Sequence, residues 1–224
     1  MLKKSIILVG TILAFGFLAT AQEVRSEVTV SGTGLFTKDS NNNGLQHQAT
    51  KSGGIQADYR FNLNRWAAAE FNYGLGRNSQ EYFTSNSSNM TALPTAIDRI
   101  QTNVHAATLD FVARIPTAGR VRPYVLAGGG ALIFDPVHRN VPFQASALTV
   151  PTTVRVPTRA QGAFVYGAGA DFDLTHRGEG KPGVALRLGY RGYVYDVPDF
   201  GFRRLDLQTK THTAQPEAGL TFRF

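Results

Sequence analysis

From Gly53 to Leu63 the chain alternates without a break. Gly53, Ile55, Ala57, Tyr59, Phe61 and Leu63 hold one set of positions, and Gly54, Gln56, Asp58, Arg60 and Asn62 hold the other. Side chains of a strand point alternately to its two faces, so a period of two predicts a strand with one apolar face and one polar or small-residue face. The alternation recurs over 67–76, 106–115, 161–174, 184–194 and 217–224. Weaker versions cover 28–36 and the Gly-rich 124–134, where Tyr124, Leu126, Leu132 and Phe134 are expected to face outward. Eight strands result, each about ten residues long. Tilted strands of that length cross hydrocarbon, whereas strands of roughly five or six residues are commonest in soluble sheets.

A sheet surrounded by hydrocarbon has no water to satisfy the N–H and C=O groups along its edges, so it must close on itself. The connections alternate in the same orderly way. Segments 63–66, 116–121 and 175–183 are short, whereas 37–51, 77–103, 135–159 and 196–210 are long and rich in Asn, Ser and Thr or in Pro. Short turns at one end and long loops at the other predict an all-β fold, a transmembrane up-and-down antiparallel β-barrel of eight strands. A fifth hairpin within 135–159 would make ten strands, but Pro142, Pro151 and Pro157 argue against it.

Eight strands enclose room for side chains or one small ligand. The expected inward faces hold Asp58, Glu70, Asp110, Asp171, Asp173 and Glu217 with Arg60, Arg114, Arg187, Arg191 and Arg223. Long charged groups of both signs in so narrow a lumen predict a salt-bridged plug, because an unpaired buried charge costs several kcal/mol. Gly residues on the same faces make room for them. Aromatics near strand ends are expected to form two interfacial girdles: Phe61, Trp66, Tyr124, Phe172, Phe222 and Phe224 at one level, Phe36, Phe134 and Tyr195 at the other.

Lys3 and Lys4, an apolar run from Ile6 to Leu18 and Ala19-Thr20-Ala21 have the order of a secretory signal peptide. The domain reading is therefore a signal peptide over 1–21, cleaved, and one barrel domain over 22–224. The chain has no Cys, which excludes a lipid-bearing cysteine and a disulfide framework. Its formal charge of +7 becomes +5 once Lys3 and Lys4 are removed. The Lys and Arg residues are scattered singly, which does not suit nucleic acid.

The chain ends Glu217-Ala218-Gly219-Leu220-Thr221-Phe222-Arg223-Phe224. This ending resembles the C-terminal assembly signal of bacterial outer-membrane β-barrels, carried here by Glu217, Gly219, Phe222 and Phe224. The whole mature chain resembles the outer-membrane β-barrel domain family that includes OmpA-like and OmpX-like barrels. The resemblance implies a bacterial outer-membrane location, the barrel-assembly machinery as a partner during biogenesis, and a monomer set in outer-membrane lipid and lipopolysaccharide. It departs from full-length OmpA in having no peptidoglycan-binding domain after the barrel.

Some small barrels are enzymes acting on lipid A or peptides through rim histidines. His47, His105, His138 and His212, with Ser52, Asp98 and Asp199, fall near the expected outer rim but without a recognisable spacing. Neither a catalytic site, a cofactor nor a metal is expected. The third long loop mixes β-formers, Pro and charge (Val154, Arg155, Val156, Pro157) and reads as a hairpin beyond the membrane. The sequence therefore points to a non-enzymatic outer-membrane protein with a structural, envelope-integrity or adhesive role, with a small porin as the alternative and a lipid A-modifying enzyme or protease behind it.

Overall fold

Each strand can satisfy its backbone only by pairing on both sides, and the chain does so in a closed ring. The computed structural model describes residues 26–42, 45–84, 95–115, 117, 119–138, 140–143, 152–175, 183–200 and 209–224. The expected signal peptide lies outside them. Twelve strands are present among these residues: β1 (Ser26–Thr37), β2 (Ser40–Asn42), β3 (Leu45–Ala49), β4 (Ser52–Asn62), β5 (Ala67–Thr84), β6 (Thr95–Arg114), β7 (Val121–Pro136), β8 (Asn140–Phe143), β9 (Thr152–Arg155), β10 (Arg159–Asp173), β11 (Gly183–Asp196) and β12 (Lys210–Arg223).

Eight of them form the barrel in the antiparallel order β1-β4-β5-β6-β7-β10-β11-β12, and β12 returns to β1. The seam runs from Glu27 opposite Arg223 to Thr37 opposite Thr213, and the Phe224 N–H donates to the Ser26 carbonyl at 2.9 Å. Gly219 sits on this seam, where a Cβ would collide with the Val30 carbonyl oxygen and the Ser31 hydroxyl. β8 and β9 pair only with each other, so 135–159 adds a separate hairpin and not two barrel strands.

The alternating sets separate as hydrocarbon demands. Val30, Ile55, Phe71, Leu109, Phe111, Phe164, Leu188 and Leu220 stand exposed on the outer wall, while Thr29, Gln56, Asp58, Glu70, Thr108 and Arg187 are buried inside. Trp66 lies exposed beside the short turn that follows β4, stacked under Arg65.

One strand has the opposite orientation to that expected. Tyr124, Leu126, Leu132 and Phe134 of β7 are buried in the lumen, and Val125 and Ile133 face outward. Between Pro123 and Phe134 both faces of β7 are apolar or glycine, so hydrophobicity alone cannot choose between them there, and pairing with β6 and β10 fixes the parity. Tyr195 of β11 likewise faces inward, two residues beyond the buried Tyr193. These aromatics therefore do not belong to the girdles.

The long connections are also more ordered than expected. β5 and β6 continue as a paired hairpin to Thr84 and Thr95, and β3 pairs along β5 from Leu45–Thr84 to Ala49–Gln80. At ~3.3 Å per residue β6 alone is far longer than a membrane crossing requires. Beyond the membrane the outward residues Arg77, Glu81, Arg99, Gln101 and Asn103 meet water, so both faces read as polar and the strand signal disappears from the sequence.

Candidate functional site: the charged lumen

Parity carries the charged residues of β4, β5, β6, β10, β11 and β12 into one small space. Arg191 reaches across it to four carboxylates: Glu70 and Asp110 through close ion pairs, Glu217 at 3.4 Å and Asp58 at 3.5 Å. Below it, Arg187 forks onto Asp171 at 2.7 and 3.2 Å and touches Glu70 at 3.2 Å. Arg60 donates its Nε–H to Glu70 at 2.6 Å. All three guanidiniums are fully buried. Such paired, directional contacts of planar guanidiniums are the strong members of the hydrogen-bond family.

Neutral groups complete the set. Gln56 donates to Asp58 at 3.0 Å and to Glu217 at 2.7 Å, Gln215 donates to Gln56 at 2.6 Å, and Asn72 donates to Asp58. The Tyr124 ring lies under Arg60 and Arg187, with guanidinium carbons 4.5 and 5.3 Å from its centroid, and its hydroxyl donates to Glu217 at 3.2 Å. The inward turn of β7 therefore supplies a cation–π platform.

Towards the short-turn end, Glu27 forms an ion pair with Arg114 at 2.9 Å and lies 3.3 Å from Arg223, which also meets Asp171 at 3.1 Å and Asp173. Arg122 reaches Asp173 at 2.8 Å from the half-exposed mouth. Every residue of the expected charge cluster lies in this network. Glu27 and Arg122 were absent from the expectation. Carrying the alternation of β1 back from Thr29 would have placed Glu27 inward, while Arg122 belongs to the strand whose parity was ambiguous.

Above the charges the filling changes. Thr37, Thr213 and Tyr195 share hydroxyl contacts of 2.8 and 2.9 Å, Phe134 packs on Tyr195 at 5.8 Å, and a cavity of about 30 Å³ remains, room for about one water. Higher still, beyond the barrel proper, Tyr82, Ile100, Val156, Val197 and Phe200 form a buried apolar cluster. The Tyr82 hydroxyl donates to the Pro198 carbonyl at 2.9 Å, tying the segment after β11 across the opening. His47 sits here, with Nε2 2.6 Å from the Gln80 side-chain oxygen and no hydrogen-bond partner on Nδ1 among the described residues. Burial pushes its pKa below the usual imidazole value, against the opposing effects of the Gln80 hydrogen bond and the Asp39 charge.

The remaining rim histidines are not gathered into one centre. His105 lies 2.8 Å from the Tyr73 hydroxyl, and His212 lies 2.9 Å from that of Tyr166 and 3.5 Å from that of Tyr190. The family model described as "Outer membrane protein beta-barrel domain" matches residues 7–224. The chain belongs to this family of bacterial outer-membrane β-barrels. In shape it is similar to Neisserial surface protein A (NspA), with 13% identity over 89% of this chain and 97% of that one, at a TM-score of 0.53. OprG of Pseudomonas aeruginosa gives 10% identity over 91% and 98% of the two chains at 0.49, and Ail of Yersinia pestis 16% over 91% and 100% at 0.47. A comparison with curated protein sequences finds no match.

Proposed function

We propose that this protein is a non-conducting, non-enzymatic barrel that contributes to envelope integrity and presents a basic surface for adhesion outside the cell. The observation that carries the closed lumen is the fully buried set Arg60, Arg187 and Arg191, each held by carboxylates from other strands. An ion crossing the barrel would have to break several charge-assisted hydrogen bonds at once, in surroundings where each is strong. The aromatic and hydroxyl layer and the apolar cluster add two further obstacles along the same path.

The non-enzymatic reading is supported by His47, His105 and His212, whose side-chain hydrogen-bond partners are Gln80, Tyr73 and Tyr166. The adhesive reading is supported by exposed Arg77, Arg99 and Arg155 on elements beyond the hydrocarbon, since scattered cations favour anionic polymers. Arg139, Arg203 and Arg204, which the sequence adds to this surface, lie outside the described residues. We further propose that the assembly machinery reads β12 through Glu217, Gly219, Phe222 and Phe224. Deleting Phe224 is then expected to lower the folded, heat-modifiable fraction in the outer membrane.

Planar-bilayer recording tests the closed lumen. Purified protein is expected to give no stable conductance steps. Regular single-channel steps would instead support the porin alternative and end this reading.

A further inference from the structure

On the lipid-facing wall, near the end that carries the long connections, β4, β5 and β6 frame an open groove of about 600 Å³. Glycines make it. Gly53 faces outward and leaves its place open, while Gly54 and Gly76 turn inward, so the wall is thinned to backbone between the exposed Ile55–Leu75 pair and Arg77. Apolar residues form the lower part and Arg77, Asn103 and His105 the upper part.

The polar groups are held and yet unspent. Arg77 donates its Nε–H to Asn103 Oδ1 at 2.8 Å, which fixes the guanidinium plane and leaves both terminal NH2 groups without a hydrogen-bond partner among the described residues. Tyr73 lies 2.8 Å from His105 Nδ1, and with the hydroxyl donating there the imidazole carries its hydrogen on Nε2 as a further unused donor. A fork of N–H donors beside a second donor suits the oxygens of a phosphate. An apolar trough directly below suits an acyl chain. In barrels of this family the long loops face outside, so the groove opens into the outer leaflet.

We propose that this groove binds a phosphorylated glycolipid of the lipid A type, with a phosphate on Arg77 and His105 and an acyl chain along Ile55 and Leu75. The site lies on the outer wall, so the proposal stands whether or not the lumen conducts. A phosphate on a dented, apolar barrel wall would be bound tightly, because hydrocarbon on one side weakens competition from water. The groove would then hold one lipid in register with the barrel, where a smooth wall exchanges lipids freely.

Native mass spectrometry of the full-length protein in detergent, titrated with bis-phosphorylated lipid A, tests this. One bound lipid A per barrel is expected. The combined Arg77→Ala and His105→Ala variant should lower its affinity about tenfold or more, the loss of two charge-assisted hydrogen bonds. Gly53→Leu, which fills the groove and leaves the cations in place, should also weaken binding. Arg99→Ala, an exposed cation outside the groove, should not. Dephosphorylated lipid A should bind the wild type as weakly as the double variant binds lipid A. Equal binding by wild type, double variant and Gly53→Leu would overturn the proposal. So would an Arg99→Ala loss as large as that of the double variant, or phosphatidylglycerol binding as tightly as lipid A. Unchanged migration on unboiled gels establishes that each variant remains folded.

Discussion

The barrel is filled in two opposite ways along its axis. Within the hydrocarbon-facing section the interior is ionic, built on Arg60, Arg187 and Arg191 with Glu70, Asp58, Asp110, Asp171 and Glu217. Above it, where the outer wall meets water, the interior is apolar, built on Tyr82, Ile100, Val156, Val197 and Phe200. The hydrophobic effect explains the second and is absent for the first. Apolar side chains leave water when the upper cluster forms. In the membrane, lipid outside is as apolar as any core inside, so an apolar interior gains little by closing. Directed ion pairs supply cohesion there, and low dielectric makes each one stronger and each unpaired group costlier.

Removing one charge from the lower section should therefore have the largest effect and act on the whole barrel. Arg191→Ala removes the guanidinium that four carboxylates share and is expected to cost about 3–5 kcal/mol. Urea unfolding in lipid vesicles would measure it, and a loss under 1 kcal/mol would mean that the network does not hold the barrel together. In the upper section a deep truncation should act locally. Phe200→Ala is expected to remove about 3 kcal/mol from the closed upper cluster while heat-modifiable migration of the barrel persists. Hydrogen exchange of 80–84 and 197–200 would separate the two regions, and equal loosening of β10 and β11 would erase the distinction.

Acid should sharpen the contrast further. His47 is buried with a lowered pKa, so the opened upper section takes up a proton more readily than the closed one. The contribution of this histidine is full above about pH 6.5 and falls as the pH drops through that value, by at most about 1.4 kcal/mol per pH unit. Protection of 45–49, corrected for the slower intrinsic exchange in acid, is expected to fall between about pH 7.5 and about pH 5, and His47→Gln should abolish the fall. Tyr82→Phe is the smallest change. Losing the bond to Pro198 should cost about 1 kcal/mol, seen only in exchange at 197–200.

The two regions also differ in how far the sequence foretold them. In the membrane each strand keeps one apolar face, so the inward parity of Asp58, Glu70, Asp110, Asp171, Arg187 and Arg191 follows from neighbours one residue away. Beyond the membrane Arg77 to Thr84 and Thr95 to Asn103 carry polar residues on both faces, and the alternation that marks a strand vanishes although the hairpin continues. β7 failed for the converse reason, since Val125 and Leu126, like Leu132 and Ile133, are equally apolar on either face.

By itself the sequence determined that eight strands must close, and which charged residues of most strands turn inward. Both follow from local periodicity together with the absence of water in hydrocarbon. Tertiary structure alone decided which carboxylate meets which arginine, because that depends on the stagger between strands far apart in the chain. It decided that Tyr124 turns in beneath Arg60 and Arg187, because only the pairing of β7 with β6 and β10 fixes its parity. It also gathered Phe200, Val156 and Tyr82 into one buried cluster, a meeting of three connections that no local pattern encodes.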